Sequence, residues 1–144
     1  MKKEYLTITT IAAPPERVWA VLTNGAAYAE WNPEIIDVEG VMAPNARIKV
    51  KVRLGDGAVR QLSQRVAVLE PLQRMEWVGG LPFGLFVGRR TFTLSPARAG
   101  TEFRMHLDMS GPLARMILKS VGDRQPEIEK FSAALKRRAE ARGS

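Results

Sequence analysis

The sequence predicts an α+β fold: a curved seven-stranded antiparallel sheet wrapped around a long C-terminal helix, with two short helices after the first strand. Three observations predict it. From Ile35 to Met109, extended segments with alternating apolar and polar residues follow one another, separated by turns rich in Gly, Pro and Asn. Strands joined by such short turns form an antiparallel meander. After Gly111-Pro112 the apolar spacing becomes helical, and one amphipathic helix covers only part of so large a sheet, which curls around it.

Tyr5–Ile11 alternates, with Leu6 and Ile8 on one face and Thr7 and Thr9 on the other, and forms the first strand. Pro14-Pro15-Glu16 opens a helix, because proline is tolerated in a first turn and an acid suits the N-terminal dipole. Val18, Val21 and Leu22 form its apolar stripe, Trp19 lies beside them, and Asn24-Gly25 ends it. Residues 26–30 make a further helical turn. Asn32 precedes Pro33 and is driven out of the helical region, so extended chain resumes there.

Strand two is expected over Ile35–Val41 and strand three over Arg47–Leu54, where Ile48, Val50, Val52 and Leu54 alternate with Arg47, Lys49, Lys51 and Arg53. Gly55-Asp56-Gly57 reads as a hairpin turn. Strand four covers Val59–Leu69, with Gln64 in phase with Leu62, Val66 and Val68. Strand five covers Arg74–Val78, Gly79–Gly84 is an apolar loop, and strand six covers Leu85–Leu94. Strand seven, Thr101–Met109, sends Phe103, Met105, Leu107 and Met109 one way and Arg104, His106 and Asp108 the other. In the terminal helix Leu113, Met116, Ile117, Val121, Ile128, Phe131 and Leu135 recur at helical spacing, and Gly122 and Pro126 predict a kink or break.

The 144 residues fit one domain, 1–144, which buries roughly 70% of its unfolded surface without a disulfide or metal staple. The chain lacks cysteine, which excludes disulfides, thiolate chemistry and cysteine-held metal clusters. The apolar stretch Leu6–Ala13 is too short and polar for a signal sequence, and no run approaches the ~20 apolar residues of a membrane span. A cytoplasmic location is expected. The formal charge of +7 permits attraction to anionic ligands, membranes or nucleic acid, without choosing among them. Lys136, Arg137, Arg138 and Arg142 crowd the end of the helix, where a solvated face is the favoured reading.

Particular residues carry a family resemblance along nearly the whole chain. They are the opening strand running into Ala12-Ala13-Pro14-Pro15-Glu16-Arg17-Val18-Trp19, then Trp31-Asn32-Pro33, then Leu69-Glu70-Pro71 leading to Met75-Glu76-Trp77. Phe92-Thr93-Leu94-Ser95-Pro96 and Gly100-Thr101-Glu102-Phe103 complete it. With them the chain resembles the SRPBCC superfamily of START-related, pollen-allergen-like helix-grip domains, and within it the bacterial polyketide cyclase/dehydrase and lipid-transport group. The resemblance implies a ligand cavity between sheet and helix. It does not imply one activity, because such a fold hosts several.

Candidate cavity residues follow from strand parity. Trp31 and Trp77 are expected as walls, Leu62 and Gln64 as strand-four contributions, and Phe92, Phe103, Met105 and Met109 as inner-face residues. Met116 and Ile117 come from the helix, the methionines offering adaptable surface, and Phe83 sits at the tip of a lid-like loop. Each also fits ordinary core packing. Arg90 shares parity with Phe92 and Leu94 and is the catalytic candidate, able to clamp a ligand carboxylate, enolate or phosphate. Buried in an apolar cavity it needs a partner. A bulge near Gly88 would instead turn Arg90 outward, and both registers stay open. His106, the one histidine, and Glu76 are expected to face outward. No HExxH, GxSxG or phosphate-loop spacing occurs, and neither a metal nor a cofactor is implied.

The favoured function is a carrier or sensor that binds a small hydrophobic or amphipathic molecule, such as a lipid or polyketide-like metabolite. The alternatives are a cofactor-independent cyclase, dehydratase or lyase, and a cochaperone-like interaction module. Peripheral membrane contact fits an exposed apolar tip, as a monomer or a homodimer. Nucleic acid is not an expected partner: Lys49, Lys51, Arg53 and Arg65 make a basic outer face without interleaved aromatic residues.

Overall fold

The computed structural model describes residues 2–54 and 57–141. Strand β1 (Lys2–Ile11) leads into helix α1 (Pro15–Thr23) and a 3-10 turn (Gly25–Glu30). Strands β2 (Ile35–Glu39), β3 (Arg47–Arg53), β4 (Val59–Glu70), β5 (Arg74–Leu81), β6 (Phe86–Ala97) and β7 (Gly100–Ser110) follow. Helices α2 (Ala114–Val121) and α3 (Gln125–Ala141) end the chain. The strands form one sheet in the order β1-β7-β6-β5-β4-β3-β2, with every neighbouring pair antiparallel. The expected α+β architecture is therefore present. The segment holding α1 and the 3-10 turn carries the chain from one edge of the sheet to the other.

Local chemistry explains the boundaries. Pro14 is extended (φ −68°, ψ 155°) and Pro15 and Glu16 occupy the first turn of α1. The Tyr28 hydroxyl donates to the Leu22 carbonyl at 2.5 Å and ties the 3-10 turn to α1. Asn32 Oδ1 accepts from the N–H groups of Glu34 (2.9 Å) and Ile35 (2.8 Å), a side-chain turn that launches β2. The expected break in the terminal helix occurs at Gly122, whose φ of 78° ends α2. Asp123 Oδ1 then accepts from the Gln125 N–H at 3.0 Å, and Pro126 sits in the first turn of α3 rather than at a kink.

Strand parity holds over most of the sheet. Ile48, Val50 and Val52 are buried, while Lys49, Lys51, Arg53 and Arg65 lie on the outer face. On β1 the inner residues are Tyr5 and Ile11, so Leu6 and Ile8 face outward and are exposed. A bulge between Val66 and Val68 breaks the β4 phase. Val66 is buried opposite Trp77, but Val68 pairs with the outward Glu76, and Leu69 returns to the inner face opposite Met75. Val68 is thus out of phase with Leu62, Gln64 and Val66, against the expectation from alternation.

Two cations at the end of α3, Lys136 and Arg138, dock the helix, while Arg137 is exposed to solvent as expected. Lys136 donates to the Thr10 carbonyl (2.8 Å) and to Glu140 (2.6 Å), and Arg138 meets Glu30 at 2.7 Å. Arg142 and the tip residues Gly55 and Asp56 lie outside the described residues. Gly57 N–H donates to the Leu54 carbonyl at 2.9 Å across the base of that hairpin.

Candidate functional site

The interior divides along the strands. At one end aromatic rings fill it: Trp77 and Phe92 lie 5.0 Å apart, Phe92 and Phe131 5.5 Å, and Trp31 and Phe131 5.5 Å. At the other end the sheet and helices enclose a cavity of about 500 Å³. Antiparallel order brings the end of β3 (Val52) with Leu54 just after it, the start of β4 (Leu62, Gln64), the end of β5 and the start of β6 together there. Leu107 and Met109 of β7 close the wall, and Ile117, Ser120 and Val121 of α2 form the opposite side.

Glycine shapes this wall. Gly79 of β5 pairs with Gly88 of β6, at inner-face positions between Trp77 and Leu81 and between Phe86 and Arg90. Two facing positions that would each project a side chain inward project none. A Cβ on Gly79 would lie 2.7 Å from both the Gln64 amide nitrogen and the Ser63 carbonyl, so no side chain fits. A Cβ on Gly88 would meet the Phe86 ring at 3.7 Å, ordinary contact, with the void beyond it.

Arg90 lies on the cavity wall. The β6–β7 register runs without a shift from Val87 to Ala97, so Gly88 makes no bulge and Arg90 faces inward with Phe92. Its guanidinium is held by Glu127 of the first turn of α3 in two contacts, Nη2–Oε1 at 2.9 Å and Nη1–Oε2 at 3.2 Å. The Glu127 side chain is only 2% exposed, so each ion is the other's counter-charge in a largely dry setting. The Tyr28 hydroxyl has its pKa pushed up by burial, against a smaller opposing pull from the Arg90 charge. Arg124 also lines the cavity, with its Nε buried and lacking a partner among the described residues.

The sequence-chosen residues fall into three groups. Leu62, Gln64, Arg90, Met109 and Ile117 line the cavity. Trp77, Phe92, Phe103 and Met105 are buried in the packed half, and Trp31 packs against it. Phe83 and Met116 point to solvent, 98% and 60% exposed. Sequence reasoning missed Phe86, Val121, Arg124 and Glu127, which lie in or beside the cavity. The helical spacing of Ile117 and Val121 carried a signal for Val121. For Glu127 there was none, because its partner is a strand residue remote in sequence.

His106 and Glu76 face outward as alternation predicts. His106 Nε2 is 3.2 Å from Glu4 Oε1, and its Nδ1 is 4.0 Å from Asp108. Glu76 is nevertheless buried, held between Arg89 (3.1 Å) and Arg74 (3.8 Å).

Residues 6–140 match the family model described as polyketide cyclase / dehydrase and lipid transport. No curated protein sequence matches the chain. Among solved structures, the Zhui aromatase/cyclase of a Streptomyces species is 18% identical, with a TM-score of 0.80 over 100% of this chain and 97% of that one. A protein of Mesorhizobium loti is 24% identical over 99% of both chains, with a TM-score of 0.74. The di-domain aromatase/cyclase StfQ of the steffimycin biosynthetic pathway is 16% identical, with a TM-score of 0.78, and is matched over 52% of its length. At these identities the structural likeness shows the fold.

Proposed function

The chain belongs to the polyketide cyclase / dehydrase and lipid transport family, and we propose that it holds a small hydrophobic or amphipathic molecule, as a carrier or sensor. The observation that supports this reading is the cavity of about 500 Å³, walled by aliphatic side chains and Phe86 and left open at Gly88. That volume suits a small organic ligand. The charged pair in its wall is already satisfied, since Glu127 takes both Nη atoms of Arg90. With its carboxylate taken up by Arg90, the cavity wall offers burial more than acid–base chemistry. The buried, unpartnered Arg124 Nε supplies a donor for one ligand oxygen, which favours amphipathic over purely apolar molecules.

The test is native mass spectrometry of the purified protein, followed by denaturing analysis of whatever is released, with a thermal-shift screen of hydrophobic metabolites. A co-purifying or stabilising molecule whose binding is lost on filling the cavity is expected. An empty protein with no shift across the screen overturns the proposal.

A second reading, a cofactor-independent cyclase or dehydratase, is favoured by the polar groups Arg90 and Gln64 in the wall. In that reading Arg90 leaves Glu127 and stabilises a developing enolate oxygen. It requires turnover of a polyketide-like substrate that Arg90→Lys, folded and ligand-competent, fails to support.

A further inference from the structure

We propose that the end of the molecule formed by the β5–β6 tip and helix α2 is a docking surface for an anionic lipid bilayer. Four apolar side chains stand exposed there: Leu81 (45%), Phe83 (98%), Leu85 (40%) and Met116 (60%). The Leu113 N–H donates to the Leu85 carbonyl at 2.9 Å, which fixes the tip beside the start of α2. Gly111 passes so close that a Cβ would sit 2.7 Å from that same carbonyl. The patch is therefore one braced surface and not two loose segments.

Phe83 carries the argument furthest. Its φ of 61° places a bulky side chain in the left-handed region, which glycine or asparagine adopts at lower cost. An aromatic ring held there and left in water stabilises nothing within the chain. It gains free energy only when an apolar phase covers it.

Charge selects the occupant. On α2 the residues Ala114, Ile117, Leu118 and Val121 face the protein, while Arg115, Met116 and Lys119 face out. Arg115 and Lys119 form no ion pair among the described residues, and neither α2 nor the segment Leu81–Phe86 contains an acidic residue. Arg60, exposed at the cavity rim, adds a further cation without an ion-pair partner among them. Apolar side chains flanked by unpaired cations suit a membrane interface with negatively charged headgroups. Leu81 and Phe86 also line the cavity, so a docked molecule presents the cavity mouth to the lipid. This surface does not depend on what the cavity holds.

The test is flotation of the full chain with vesicles of phosphatidylcholine alone and of phosphatidylcholine with phosphatidylglycerol. Binding to the phosphatidylglycerol vesicles that weakens with salt is expected, with little binding to the neutral ones. Phe83→Ser lowers partitioning on the order of tenfold, the change that follows from keeping one large apolar side chain out of the interface. Arg115→Ala with Lys119→Ala weakens both the binding and its salt dependence. Both variants alter exposed positions and keep the parent melting temperature and cavity-ligand binding. Failure to float with anionic vesicles, or flotation untouched by Phe83→Ser, overturns the proposal. So does a concentration-dependent dimer in light scattering that Phe83→Ser abolishes, which assigns the patch to a second copy of the chain.

Discussion

Arg90 and Glu127 bind each other in a two-point ion pair, at 2.9 and 3.2 Å, across the seam between strand β6 and helix α3. The pair stands where the packed aromatic half of the interior gives way to the cavity. It anchors the first turn of α3 to the sheet, and the carboxylate also suits the positive end of that helix. Beyond it α3 packs on the core through Ile128, Phe131 and Leu135, with polar contacts to Thr10, Ala12 and Glu30 at its far end. The ion pair is what fixes the start of the helix beside the cavity.

Removing one partner leaves a charge with little water to solvate it. Glu127→Ala is expected to cost about 3–5 kcal/mol, measured by urea unfolding. Replacing both residues, Arg90→Met with Glu127→Leu, recovers most of that loss, because the desolvation penalty of each ion disappears with its partner. A double variant no more stable than Glu127→Ala would show that the pair is not coupled in this way.

Gly88 gives a direct handle on the cavity. Gly88→Leu projects into the void past the Phe86 ring, with the fold otherwise intact. Binding of anilinonaphthalene sulfonate, followed by fluorescence, is expected to fall sharply while the melting temperature stays near the parent value. Phe83→Ser serves as the control for dye on the exposed tip. Gly88→Ala is tolerated and gains about 0.5–1 kcal/mol from reduced chain entropy. Undiminished dye binding in Gly88→Leu would place the ligand elsewhere.

Strand parity made the walls of the fold legible, and side-chain identity made less of the cavity legible. Ile48, Val50 and Val52 announced their inner face because their neighbours are charged. The bulge at Val66–Val68 did not announce itself, since an extra residue is defined only against the partner strand. Gly79 and Gly80 read as loop, yet they continue β5 and pair with Gly88 and Val87. An absent side chain carries no parity, so the feature that opens the cavity was the hardest to see. Large residues such as Trp77, Phe92 and Phe103 drew attention as walls, but they fill their end of the interior completely. Glu127 was invisible because helical spacing identifies apolar stripes, not which acid meets a strand arginine.

Tyr28 predicts an alkaline limit. Burial raises its phenol above the ordinary value of 10.0, so the folded state keeps the proton where the unfolded chain releases it. The stabilisation is fully present below about pH 10 and is lost as pH rises toward the raised folded value. Absorbance titration should show this phenol ionising only as the protein unfolds. Tyr28→Phe loses the bond to the Leu22 carbonyl, about 1 kcal/mol at neutral pH, but declines less steeply in alkali.

Glu140 predicts an acid limit at the opposite end of α3. The Ala12 N–H donates to its carboxylate at 2.8 Å, and Lys136 adds a second contact at 2.6 Å. These hold its pKa below the ordinary value of 4.5, the backbone donor contributing most. A depressed folded pKa stabilises the protein above the unfolded value, and that contribution disappears as pH falls through the folded one. Lys136 also grips the Thr10 carbonyl, so protonating Glu140 loosens the junction between β1 and α3. The protection factor of the Ala12 amide, its exchange corrected for the intrinsic pH dependence, should therefore fall below about pH 4.5 in the parent, ahead of global unfolding. In Glu140→Gln the protection should already be low at neutral pH and change little on acidification, whereas a parent-like acid response in that variant would assign the limit to another carboxylate.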